Sequence, residues 1–149
     1  MGLAELIIVI NNPINVSKFN GPPPASIYDS RIICDGPIYC REEWLALAKA
    51  KKLNFWTRDS ARDAANLSLS AGDIADLLVL ALEQGRFRGS QWCRQRPDGP
   101  WAACDAYTVT RREWNEYAHK EIETTYYLKA AISKAGTLLF SASNHLEGT

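Results

Sequence analysis

The chain has 149 residues, and its 17 Lys+Arg balance 17 Asp+Glu, giving zero formal charge and a sequence pI of about 6.7. A composition of 46% hydrophobic and 10% aromatic residues supports an unaided core, which sets aside intrinsic disorder as the main state. Zero net charge also argues against a protein that coats nucleic acid through bulk charge, while leaving local patches open.

Residues 6–10 form a β-branched run that reads as a short strand ending at Asn11-Asn12-Pro13. The run is too short for a membrane span or a signal core and lacks a preceding basic cluster, so a cytoplasmic protein without a membrane partner is expected. A stiff connector, Gly21-Pro22-Pro23-Pro24, follows, and then a second short strand at Ile32-Ile33-Cys34 that ends at Asp35-Gly36-Pro37. We read residues 1–40 as an N-terminal extension packed on a domain spanning 41–149.

From residue 41 the pattern is helical. Glu42 and Glu43 load the first turn, Trp44, Leu45, Leu47 and Ala48 supply an apolar stripe, and Lys49, Lys51 and Lys52 sit at the end that favours cations. A second helix is expected over 59–66. Ser70 with Asp73 has the form of an N-cap, Ile74, Leu77, Leu78, Ala81 and Leu82 recur at helical spacing, and Gly85 reads as a C′ glycine.

Beyond Gly85 strands are expected over 91–96 and 101–109, joined by Pro97-Asp98-Gly99-Pro100, then a short helix over 111–121 with Trp114, Tyr117 and Ala118 inward. Segments 124–132 and 137–143 read as a hairpin. Its turn suits a three-residue loop with Gly136 in the left-handed bulge position, so that Ser133 opposes Thr137, Tyr127 opposes Ser143, Lys129 opposes Ser141 and Thr125 opposes His145. In that register Tyr126, Leu128, Ala130, Ile132, Leu138, Phe140 and Ala142 share an apolar face, and Tyr127, Lys129, Ser141, Ser143 and His145 share the other. On the preceding strand Ala102, Cys104 and Ala106 fill one face, while Trp101, Asp105 and Tyr107 project from the other. The fold class is thus α+β, a twisted, mostly antiparallel sheet packed against helices.

If these strands adjoin, one open surface gathers phenols, an ammonium, an imidazole and a carboxylate. Such a set can take a ribose 2′-OH proton, stabilise a phosphorane and protonate a 5′-oxygen leaving group, the chemistry of a ribonuclease that needs no metal or cofactor. Charge is regional. Residues 86–112 carry six arginines against two aspartates, a net +4, and 49–62 carry five basic groups against one acid, again +4. Arg86, Arg94 and Arg96 interleave with Trp92 and Trp101, a composition that holds phosphates and stacks single-stranded bases. The four cysteines contain no CxxC pair and there are two histidines, so they read as small hydrophobes with no metal site; a Cys34–Cys40 disulfide does not suit a reducing compartment.

Thr57-Arg58 through Leu67-Ser68-Leu69-Ser70, Asp73-Ile74, a Leu-rich helix into Phe87-x-x-Ser90, then Trp101-x-x-x-Asp105-x-Tyr107 and Tyr127-Leu128-Lys129 form an ordered set that resembles the motility quorum-sensing regulator (MqsR) toxin family over about residues 45–145. The resemblance implies the fold of bacterial mRNA interferases, cleavage of single-stranded mRNA without ribosomes or metal, and inhibition by a cognate antitoxin protein. The family's Tyr-Leu-Lys tyrosine and lysine fall on Tyr127 and Lys129. Its lysine in Phe-x-Lys-Ser falls on Gly89, one position after Arg88. Its glutamine falls on Cys104, and its C-terminal lysine on Ser143 or His145. The expected catalytic set is therefore Tyr127, Lys129, His145, Arg88 and Tyr107, and the expected RNA contacts are Arg86, Arg94, Arg96, Trp101, Asp105 and Ser143.

Two other readings compete with the nuclease. Residues 60–82 have the outline of a helix-turn-helix for DNA, although 71–84 lack Lys and Arg and carry Asp73, Asp76 and Glu83. The other is a catalytically inactive relative that only binds the antitoxin.

Overall fold

A computed structural model describes residues 13–26 and 28–147 of the chain, with side chains as far as Ala142. The strand read at residues 6–10 lies outside them.

The helices begin and end where local chemistry dictates. Helix α1, Arg41–Lys49, carries Glu42 and Glu43 in its first turn and Lys49 in its last, and buries Trp44 and Ala48. Lys51 then takes a positive φ of 56°, which ends the helical path. Helix α2, Arg58–Asn66, is capped by Thr57, whose hydroxyl accepts from the Ser60 amide at 3.1 Å. Helix α3, Ala71–Gln84, starts with the expected capping box: the Ser70 hydroxyl accepts from the Asp73 amide at 3.1 Å, and the Ser70 amide donates to the Asp73 carboxylate at 2.8 Å. Replacing Ser70 with Ala should cost about 1 kcal/mol, read as a lower denaturant midpoint with an unchanged slope. Gly85 is not the left-handed terminator expected. Its φ of −91° and ψ of −166° are extended, and its missing Cβ admits the carbonyl oxygens of Thr108 and Ala81, which any side chain would strike.

Six strands form one mixed sheet in the order β1-β3-β4-β5-β6-β2. They are β1 (Ile32–Ile33), β2 (Leu53–Phe55), β3 (Arg86–Arg94), β4 (Trp101–Asn115), β5 (Lys120–Ile132) and β6 (Leu138–Glu147). All neighbours are antiparallel except β2, a three-residue edge strand that runs parallel to β6 and was not foreseen from the sequence. Just after β3, Gln95 donates from Nε2 to the carbonyl of Trp56, just after β2, at 2.8 Å. Those strands lie towards opposite edges, so the contact requires a curled sheet.

The helix expected over 111–121 is a β-hairpin. β4 continues to Asn115 and β5 begins at Lys120, with Glu113 opposite Ile122 and Trp114 opposite Glu121. Alternation explains it: Arg111 lies over the Tyr126 ring, 5.3 Å from its centroid, and Glu113 accepts from the Tyr126 hydroxyl at 2.7 Å, so odd positions share a face. Trp114 and Tyr117, expected inward, are exposed.

The β5–β6 turn forms as read, with Gly136 at φ 84° and the Ser133 amide donating to the Thr137 carbonyl at 2.8 Å. Ile132, Ala131 and Ala130 oppose Leu138, Leu139 and Phe140. A bulge at Ser141 then shifts the register by one, so Lys129 opposes Ala142, Tyr127 opposes Asn144 and Tyr126 opposes His145. Ala142 is therefore on the face of Lys129 rather than in the main core. The pairings of Lys129 with Ser141, Tyr127 with Ser143 and Thr125 with His145 do not form.

Tyr126, Leu128, Ala130, Ile132, Leu138 and Phe140 pack against Trp44, Ile74, Leu77 and Leu78 in the core between sheet and helices. Each large side chain removed from water there contributes roughly 1.5–3 kcal/mol. The opposite face carries a smaller cluster of Trp56, Cys93, Ala102, Cys104, Ala131 and Leu139. Part of the N-terminal extension belongs to the sheet: Asn15 bridges Trp101 and Ser17 bridges Ser133, wedging the chain between the start of β4 and the end of β5. Among the described residues no single helix is long and apolar enough to cross a membrane.

Candidate active site

The site begins with an irregularity in β3. Phe87 opposes Tyr107 and Gly89 opposes Ala106, so Arg88 is an extra residue bulged out of the ladder, and Gly89 takes φ 143°, a conformation side chains disfavour. The bulge turns Arg88 onto the face away from the helices, where its Nε donates to Thr108 Oγ1 at 2.8 Å. Thr108 in turn opposes Tyr127 across β4–β5, and Ala106 opposes Lys129. Arg88 and Tyr127 thereby line one cleft of about 230 Å³, walled by Ile32 and Ile33 of the edge strand and floored by Gln91 and Ala106.

Lys129 lies two positions along β5 from Tyr127 on the same face. It is half-buried, and its positive charge favours the thiolate of Cys93 beyond the cleft floor. The cleft thus has a guanidinium for a phosphate, a phenol for proton transfer, an amide on its floor and an apolar wall against which a planar group can lie.

Several expected members lie elsewhere. Asp105 opposes Ala130 and Tyr107 opposes Leu128, which puts both on the helix side of the sheet. Tyr107 packs edge-on against Trp44 and Phe87, and burial raises its hydroxyl pKa to about 12. Asp105 is fully buried. It accepts from Ser90 Oγ at 2.5 Å and from the amides of Ile38 and Tyr39 at 3.1 and 3.2 Å, and burial raises its pKa above the ordinary carboxylate value despite these donors. Both residues are structural. Trp101 is 4% exposed, with Arg31 and Arg94 each 4.9 Å from its ring centroid, so its faces are not free to stack bases.

The arginines divide. Arg86 opposes Thr108 and adjoins the cleft. Arg94 also donates to the Gly99 carbonyl at 3.0 Å, and Arg96 to Gln95 at 2.7 Å. Arg94 sits about 20 Å along β3 from Arg88 and Arg96 lies past the end of the strand, so neither converges on it. The side chains of Ser143 and His145 lie outside the described residues, so the site is built without them.

Sequence reasoning missed Ile32, Ile33 and Gln91 as cleft residues, and Thr108 as the partner that holds Arg88. A glycine inside a strand pattern, Gly89, was the signal for the bulge that creates the cleft. Among the described residues no group of three or more His, Cys, Asp and Glu side chains is placed to hold a metal. Cys34 and Cys40 are exposed free thiols, whereas Cys93 and Cys104, with ten residues between them, are buried in one cluster. No protein-family model, curated protein or solved structure matches the chain.

Proposed function

We propose that the chain is the toxin of a type II toxin–antitoxin pair, an endoribonuclease that cuts single-stranded mRNA without ribosome or metal, arrests growth and is restrained by a cognate antitoxin. The observation that carries this reading is the convergence of Arg88 from the β3 bulge and Tyr127 from β5 on one cleft, with Lys129 the next residue on that face. The MqsR resemblance points to the same strand positions. Its missing lysine falls on Gly89, whose φ of 143° disfavours any side chain, and the guanidinium of Arg88 enters the cleft from the preceding residue instead.

In this reading Arg88 holds the scissile phosphate and balances charge as the phosphorane forms, Lys129 adds a second positive charge, and Tyr127 exchanges a proton with the ribose 2′-oxygen or the 5′-oxygen leaving group. Purified protein should therefore cut a single-stranded transcript equally well with and without a chelator, leaving 2′,3′-cyclic phosphate ends. Expression should arrest growth, and Tyr127→Phe should relieve the arrest. Intact RNA and unchanged growth with wild-type protein would defeat the reading.

The DNA-binding alternative is weaker. Helices α2 and α3 do meet at 93°, a helix-turn-helix angle, but α3 buries Ile74, Ala75, Leu77, Leu78 and Ala81 and offers no basic group to phosphates.

A further inference from the structure

One same-face step beyond the cleft floor lie two thiols. Gln91 and Ala106 form that floor; the next positions facing the same way are Cys93 on β3 and Cys104 on β4. Directly opposed pairs are Gln91 with Cys104 and Cys93 with Ala102, so the two cysteines stand on a diagonal of the ladder, a placement that sets Cα atoms roughly 7–8 Å apart. Both side chains lie in one buried cluster with Ala102, Ala131 and Leu139, and Lys129, opposite Ala106 on β4, faces the same way. Gln91 Nε2 lies 3.9 Å from the Cys93 sulfur, between it and the cleft. Cys93 retains 6% exposure and Cys104 none. The proposed RNA chemistry uses neither thiol.

We propose that Cys93 and Cys104 are a peroxide-reactive thiol pair at the inner end of the cleft, with Cys93 as the attacking sulfur, Lys129 as the cation that favours its thiolate, and Cys104 as the resolving thiol. Cys93 keeps an exposed edge and Cys104 none, so Cys93 is the thiol a peroxide reaches and Cys104 the one that resolves; interaction with the Cys104 thiol and the charge of Lys129 also hold the Cys93 thiol below its ordinary pKa, while burial holds Cys104 above it. The Cys93 thiolate attacks one oxygen of a hydroperoxide such as hydrogen peroxide, breaking the O–O bond to give a sulfenic acid and hydroxide, which is protonated to water. The Cys104 sulfur then attacks the Cys93 sulfur and displaces the sulfenic oxygen, which leaves as water with the Cys104 proton. Two thiols and one hydrogen peroxide thus become a disulfide and two waters, the two electrons passing from the sulfurs to the peroxide oxygens. The diagonal Cα spacing exceeds that of most disulfides, so the bond draws β3 and β4 together and stays easily reduced.

The test uses the full chain carrying Cys34→Ser and Cys40→Ser, which removes the two exposed thiols. Hydrogen peroxide in slight excess should make this protein lose two hydrogens by intact mass, peptide mapping should join Cys93 to Cys104, and a dithiol should reverse the change. Adding Lys129→Met should slow the reaction at least fivefold at neutral pH. Retention of both thiols, oxygen uptake at separate cysteines, or a disulfide that forms as fast in urea-unfolded protein would each overturn the proposal, as would an unchanged rate in Lys129→Met. None of these outcomes depends on RNA cleavage.

Discussion

Arg88→Ala should slow RNA cleavage by about 10²–10³-fold, the usual cost of removing one donor aimed at a developing oxyanion, while shifting the melting temperature by no more than about 2 °C. The two effects separate because Arg88 is exposed and its hydrogen bond among the described residues is to Thr108 Oγ1 at 2.8 Å, so folding asks little of it. Arg88→Lys should recover only part of the rate, since an ammonium restores charge but not the planar fork that grips a phosphate. Tyr127→Phe should cost roughly 10²–10⁴-fold by removing a proton donor and acceptor. Combining it with Arg88→Ala should cost less than the product of the two, because both act on one transition state. Single-turnover cleavage of a defined transcript measures all four variants. An Arg88→Ala protein that cuts at the wild-type rate would remove the cleft from the mechanism, even if the protein proved to be a nuclease.

The hairpin that carries Tyr127 and Lys129 was readable from sequence because its alternation is nearly uninterrupted and its turn contains a glycine where left-handed geometry is needed. The same logic misplaced its neighbour. Asp105 and Tyr107 are polar at their tips, so alternation with Ala102, Cys104 and Ala106 suggested a solvent face. Their side is instead covered by Tyr39, Trp44 and Phe87, and the amides that bind Asp105 come from 66 and 67 residues away. Periodicity within one strand does not reveal what a distant loop will cover. The bulge at Ser141 was invisible for a related reason. It has no Gly or Pro, and the Ser141 carbonyl accepts from the Thr57 hydroxyl, a tertiary contact across 84 residues, at 2.8 Å. Residues 111–121 failed differently: the spacing of Trp114, Tyr117 and Ala118 fits a helix, but the pairing of β4 with β5 decides the conformation there. Gly89 lay between these cases. A bulge could be inferred at that position, but not that it would turn Arg88 towards Tyr127.

Asp105→Ala should destabilise the protein by about 3–4 kcal/mol, since it strips the acceptor from a buried hydroxyl and two backbone amides at once, and should lower the melting temperature by roughly 10 °C. The loss spreads because Asp105 anchors the segment through Ile38 and Tyr39, and Tyr39 packs on Trp44, whose ring centroid lies 6.4 Å away. Asp105→Asn keeps one carbonyl acceptor but turns an NH₂ towards donors, so it should cost about half as much. The pH dependence has a definite sign. Burial raises the Asp105 pKa above the ordinary carboxyl value of 3.8, so the folded state binds the proton more tightly than the unfolded chain does. The stability Asp105 contributes relative to Asn is therefore fully present below 3.8 and declines as pH rises through the raised folded value. Chemical denaturation of wild type and Asp105→Asn across acidic to neutral pH should show the gap between them narrowing as pH rises. A widening gap would mean that the Ser90, Ile38 and Tyr39 donors outweigh burial and that the carboxylate is held for its charge. The same variant separates folding from chemistry: below its melting transition, Asp105→Asn should cleave RNA at close to the wild-type rate, because Asp105 faces the helices while Arg88, on Thr108, and Tyr127 face the other side of the sheet.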